Sequence, residues 1–149
     1  MAGAHTELHR TVRDRLDGTD QRYTTGRRAV VDALAGSGGP LTLPELIERS
    51  PELAQSSAYR NLAVLEEVGV VRRLVHGSDH ARYELAEDLT EHHHHLICDE
   101  CGLVRDVTLT PDLERRLDVA FETLSIDEGF SPTHHTIDLY GRCADCASV

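Results

Sequence analysis

The chain has no lysine, so all 15 of its fixed side-chain cations are arginines. Every cationic contact it makes must therefore use the planar guanidinium fork, which suits phosphate and guanine. It also has no apolar stretch near its start. Residues 1–20 are polar and charged, and no signal peptide is expected. No apolar run approaches membrane-spanning length, so a membrane is not expected as a partner. No cysteine is spare, since the four present form two C-x₂-C pairs, Cys98/Cys101 and Cys143/Cys146. H-E-x-x-H is missing, as is H-x-E followed by P-C-x-x-C. No Ser/His/Asp order or glycine-rich phosphate loop stands out either, and an enzyme is not expected. Internal repeats and low-complexity segments are also absent.

What is present is unevenly distributed. The net charge of −11 argues against nucleic acid only when averaged over the 149 residues. Residues 1–86 carry 11 Arg against 12 Asp and Glu, while residues 87–149 carry 4 Arg against 14. The acidic half also holds the cysteines and a run of four histidines, His92–His95, so bound divalent ions would cancel part of its charge. Acidic surfaces also simply keep proteins soluble, and the split alone does not decide between these readings.

Apolar periodicity organises the first half. Residues 24–36 predict a helix with Val30, Val31 and Leu34 inward and Gly36 as its stop. SGGP at 37–40 is a turn, and Thr42 is placed to cap a short helix ending before Pro51. Ser56 or Ser57 would cap a third helix with Ala58, Leu62, Leu65 and Val68 inward and Gly69 as its close. Residues 70–76 and 81–86 alternate like two strands joined by 77–80. Helix–turn–helix followed by a hairpin is the winged-helix order. The overall expectation is α+β: a winged helix–turn–helix over 1–85, a hinge at 86–91, and a small α/β dimerisation and metal-binding domain over 92–149. In that second part, 92–98 and 103–109 predict a hairpin around a metal knuckle. Thr110 and Pro111 start a helix with Leu113, Leu117, Ala120, Phe121 and Leu124 as its stripe, and 135–141 is a last strand.

Two tight cysteine pairs supply what a closed tetrahedral zinc site requires. A reducing cytoplasm, the expected location, favours metal over the alternative of disulfides. Along a strand successive side chains point to opposite faces. His92 and His94 therefore share one face, and His93 and His95 the other, so one strand can serve two metal sites back to back. If the knuckle sets a tight hairpin, Asp106 falls opposite His93, while Glu114 and His135 can close on His92 and His94. Imidazole and carboxylate ligands leave the second, regulatory metal open between Zn²⁺ and Fe²⁺.

The segments RYTTGRRAVVDAL, SSAYRNLAVLEEVGVV, ARYEL, HHHHLICDECG and HHTIDLYGRCADC together resemble the ferric uptake regulator family of metal-dependent repressors, over residues 22–146. The resemblance implies structural zinc on Cys98, Cys101, Cys143 and Cys146. It implies a dimerisation-domain site of His92, His94, Glu114 and His135, and an interdomain sensing site of Glu84, His93, His95 and Asp106. Many iron- and peroxide-sensing members supply a histidine just before the third helix, a place that falls near Pro40 here and holds no histidine. Zinc-sensing relatives use an acidic residue near Glu67 or a cysteine where this chain has Ala86. His76 and His80 are further candidates in the wing.

For nucleic acid, Ser56, Ser57, Tyr59, Arg60 and Asn61 lie toward the N-terminal end of the third helix, the end that meets base edges or phosphates. Tyr59 could instead be half-buried core. The resemblance adds Tyr59 as a base contact and Arg27 as a backbone or minor-groove contact. Of Arg72 and Arg73, which alternate faces, one should face phosphate and the other can form a salt bridge. The function expected is a homodimeric, metal-responsive repressor that binds a palindromic double-stranded operator. The alternatives are an iron-dependent peroxide-sensing repressor of the same family and a zinc storage or metallochaperone protein.

Overall fold

The computed structural model describes residues 2–75 and 80–148, so His76 and most of the 77–80 connection lie outside the described residues. The chain divides between Glu91 and His92 into two compact units.

The first unit opens with α1 (Ala2–Asp17), a helix that sequence periodicity did not single out. Its apolar face is narrow: Val12 and Leu16 are fully buried with His9 beside them, and charged residues cover the rest. Arg15 donates to the Gly69 carbonyl at 2.7 Å and pairs with Asp88, which fastens the helix across the unit. α2 (Thr25–Ala35) is capped by the Thr24 hydroxyl, which accepts from Arg27 N–H, and it buries Val30, Val31 and Leu34. Thr42 caps α3 (Leu43–Arg49) in a full capping box with Glu45. Leu41–Thr42 also forms a short strand, β1.

α4 (Gln55–Glu67) begins two or three residues earlier than the serines suggest. Its N-cap is Ala54, which makes no side-chain cap bond, so Ser56 and Ser57 sit inside the first turn with exposed side chains. Ala58, Leu62 and Leu65 face inward, and Gly69, at φ 76°, takes the left-handed turn that releases the chain into the wing. The wing strands β2 (Val71–Leu74) and β3 (Arg82–Leu85) are antiparallel. β1 adds to β3, giving the sheet order β1-β3-β2. One core joins all four helices to this sheet through Leu46, Leu62, Leu65, Val70 and Tyr83.

The second unit is a three-stranded sheet of order β5-β4-β6, with β4 (His94–Cys98) in the centre. β5 (Val104–Val107) runs antiparallel to it and β6 (Asp138–Gly141) runs parallel. The parallel pairing needs a crossover, which α5 (Pro111–Asp127) and the segment after it provide. Ala144–Ala147 forms a last short helix, α6.

The stripe expected on α5 does not become core within one chain. Leu113, Leu117 and Phe121 are half-buried, Ala120 and Leu124 are exposed, and Ser125 is the buried residue. Val119, Ile126, Phe130, Leu139 and Tyr140 are also exposed. A single three-stranded sheet is too small to cover both faces of a 17-residue helix.

Candidate metal centres and nucleic-acid interface

The four cysteines converge at one end of the second unit. Gly102, at φ 72°, closes the first knuckle, and its N–H donates to the Cys98 carbonyl. Cys98 pairs in register with Gly141, which brings the second knuckle alongside. Cys101 Sγ and Cys143 Sγ stand 3.7 Å apart. Thiolates about 2.3 Å from a tetrahedral ion lie about 3.8 Å apart, so this spacing is the edge of a zinc tetrahedron. The backbone amides of Cys101 and Cys143 point at the Cys98 sulfur and bring its pKa down to about 6. Hydrogen bonding with Cys143 and burial push Cys146 up. The cluster fits a structural zinc ion.

On one side of β4 and the residues leading into it, His92, His94, Glu114 and His135 offer ligand atoms that all lie within 4.8 Å of one another. His94 Nε2 donates to Glu114 Oε1 at 2.7 Å. Glu114 Oε2 is buried and makes no hydrogen bond among the described residues. It lies 3.3 Å from His135 Nε2 and 3.5 Å from His92 Nε2. Nitrogen and oxygen ligands about 2.0–2.2 Å from a tetrahedral ion are separated by roughly 3.3–3.6 Å. Burial pushes the Glu114 carboxyl up, but the His94 hydrogen bond and the charges of His94, His92 and His135 outweigh it and leave it lowered.

On the other side, Asp106 Oδ1 stands 3.6 Å from His95 Nε2 and 3.8 Å from His93 Nε2. The face is as expected, but the register differs. Asp106 pairs with His95 rather than His93, because the turn at Cys98–Gly102 aligns Ile97 with Val104. Sequence reasoning missed Asp138, whose Oδ1 meets His95 Nδ1 at 3.1 Å. A proton on Nδ1 directed at Asp138 leaves Nε2 as the ligand atom, a carboxylate–histidine arrangement that orients metal ligands. Glu84 belongs to the first unit, where it is buried opposite Arg72, which bonds its Oε1 through Nη2 at 2.6 Å and Nε at 3.1 Å. Arg72 is thus the salt-bridged member of its pair, and Arg73 is exposed.

Ser56, Ser57, Tyr59 and Arg60 form an exposed polar face on α4, with Tyr59 61% accessible, which removes the half-core reading. Asn61 is half-buried and turned toward α2: a Cβ on Gly26 would meet its Nδ2 at 2.8 Å. Arg27 is half-buried, with its Nη1 donating to the Arg22 carbonyl. Glu67 and His80 are exposed.

The profile of the Ferric uptake regulator family matches residues 19–140. The chain belongs to the ferric uptake regulator family. Among its relatives is the peroxide-responsive repressor PerR of Staphylococcus saprophyticus, 30% identical over 129 residues, covering 84% of this chain and 82% of the relative. The peroxide operon regulator of Bacillus subtilis is 29% identical over 136 residues, covering 89% and 88%. The solved ferric uptake regulator of Helicobacter pylori, described with three functional metal-binding sites, superposes with a TM-score of 0.71 at 24% identity, over 96% of this chain and 93% of that one. Ferric uptake regulators are transcription regulators, so this chain is a metal-responsive repressor by family. No helix among the described residues is long and apolar enough to cross a membrane.

Proposed function

We propose that two copies of this chain form a cytoplasmic repressor that grips a palindromic operator when a divalent ion occupies a sensing site built on His93, His95 and Asp106, with Glu84 as the ligand from the winged-helix unit. The supporting observation is the divergence of the histidine run: alternate imidazoles meet separate carboxylates, Glu114 on one side and Asp106 on the other. Cys98, Cys101, Cys143 and Cys146 hold structural zinc in this reading. His92, His94, Glu114 and His135 hold a further ion that ties α5 to the sheet. An ion at the sensing site supplies a cross-link between units. The chain's own residues do the rest: Asp138 orients His95, and Arg72 holds Glu84 in place. DNA binding titrated with Zn²⁺, Fe²⁺, Mn²⁺ and Ni²⁺ at buffered free concentrations tests this, and affinity independent of every metal would refute it. The same titration separates a repressor from a storage protein, which would not retain a palindromic promoter fragment.

A second reading has support of its own, since one relative named above is a peroxide-responsive repressor and the other a peroxide operon regulator. In that case Fe²⁺ and peroxide would add oxygen to His93 or His95. Mass spectrometry of tryptic peptides after that treatment would show the gain of one oxygen atom on either histidine, and unmodified peptides would exclude it.

Tyr59 and Arg60 are assigned to the major groove and Arg27 to the DNA backbone. Arg60→Ala should weaken operator binding by ~1–3 kcal/mol in a metal-loaded titration if it reads a base. The exposed apolar face of α5 is assigned to the dimer. Val119 and Ile126, two turns apart and 63% and 72% accessible, are the places to test it. Val119→Glu with Ile126→Glu should give a monomer by light scattering, with operator affinity reduced at least about tenfold, ~1.4 kcal/mol.

A further inference from the structure

Three further ligand-type side chains converge in the first unit. His5 and His9 lie one turn apart on α1 and project to the same side, with ring centroids 4.5 Å apart. Both aim Nε2 at the same oxygen, Asp32 Oδ1 on α2, at 3.0 and 2.8 Å. The three ligand atoms lie within 4.8 Å of one another.

We infer that His5, His9 and Asp32 form an additional binding site for a divalent transition metal, which clips the N-terminal helix to α2. Two imidazoles and a carboxylate are the N/O set that suits zinc, nickel, copper or cobalt. His9 is the fixed ligand. It is 4% accessible, and its Nδ1 is in hydrogen-bond contact with the Tyr23 hydroxyl. When that hydroxyl accepts from Nδ1–H, Nε2 keeps its lone pair for a metal, the second-contact arrangement common to metal-binding histidines. His5 and Asp32 are the adjustable ligands, with side chains 53% and 42% accessible. Their distances to one another fall a few tenths of an ångström short of the ligand spacing around zinc, about 3.3–3.6 Å. Rotation of two half-exposed side chains supplies that difference. Their exposure also leaves the remaining coordination position open to water, so this ion would exchange readily, unlike one enclosed by four thiolates. Arg28 is the fixed cation whose charge reaches His9, and the Asp32 carboxylate opposes it.

Without a metal the same atoms would make a plain relay, with Tyr23 donating to Nδ1 and both imidazoles donating to Asp32. The full-length protein distinguishes the two. Wild type, His5→Ala and Asp32→Asn would be equilibrated with Zn²⁺ at pH 7.5, and the bound zinc counted by mass spectrometry of the ashed metal. One equivalent fewer per chain in each variant is the expected result, with an unchanged circular dichroism spectrum. Zinc-edge anomalous diffraction from crystals of wild type and His5→Ala gives the independent readout. A peak between the three side chains in wild type that is lost in the variant supports the site. Equal zinc counts in all three proteins, with no peak at this position, would overturn it.

Discussion

His93→Ala with His95→Ala should erase the response of DNA binding to metal. Coupling between an effector site and a ligand site is typically ~1–3 kcal/mol, so saturating metal should raise operator affinity about 5- to 150-fold in the wild type. In the double variant the ratio of affinities with and without metal should fall to about one. Both imidazoles face Asp106, and neither contributes to the cysteine cluster, so the variant should keep its structural zinc. Fluorescence anisotropy with a labelled operator, at buffered free metal, measures the ratio directly. The informative control is His92→Ala with His135→Ala. That pair belongs to the opposite face, around Glu114. It should retain the metal response while weakening attachment of α5 to the sheet. If the control abolished the response and the His93/His95 variant kept it, the two faces would have exchanged roles.

The second large effect concerns the cysteines. Cys101→Ser should cost the second unit its fold. Structural zinc contributes roughly 10–16 kcal/mol of apparent binding free energy in small domains, as much as a whole domain's usual stability of ~5–15 kcal/mol. Little else can replace it here. Among the described residues Ile97 and Val104 are the buried aliphatic side chains of this unit, whereas the first unit gathers many. The variant should bind one zinc fewer per chain and lose the cooperative unfolding transition of residues 92–149, while the winged-helix unit still melts. Acid should act in the same direction. Zinc is held by thiolates, so protons compete with it for all four sulfurs and its contribution is lost as pH falls. Zinc release followed from pH 8 to pH 5 with a chromogenic chelator would show it; release independent of pH would contradict it.

The parts of this architecture that were legible from sequence are those governed by local rules. The capping box at Thr42, the apolar faces of α2 and α4, and the period-two divergence of the histidines each depend on a few neighbouring residues. The parts that were not legible depend on distant ones. Asp106 was assigned to the correct face but two positions out of register, because the exact length of the cysteine turn sets the pairing. Asp138 could not be linked to His95, since a parallel strand arrives after a crossover and nothing local fixes its alignment. α1 escaped notice because its buried face is only two aliphatic residues wide, completed by a histidine. The serines of α4 suggested caps, yet the helix starts at Gln55 after an N-cap at Ala54 that makes no side-chain bond, with both serines in the first turn. The stripe on α5 is apolar as expected, but periodicity does not say what covers it, and within one chain it stays half-buried or exposed.

The central position of β4 has an evolutionary corollary. The four consecutive imidazoles that lead into it and begin it are chemically identical, so what distinguishes them is parity along the chain. Loss of one histidine codon would leave a complete pair on one side and a solitary ring on the other, and alignment against β5 and β6 would select which side was depleted. On the proposed assignment, such a homopolymeric tract would make the balance between the Glu114 and Asp106 sites adjustable by a single codon change, without any new residue type.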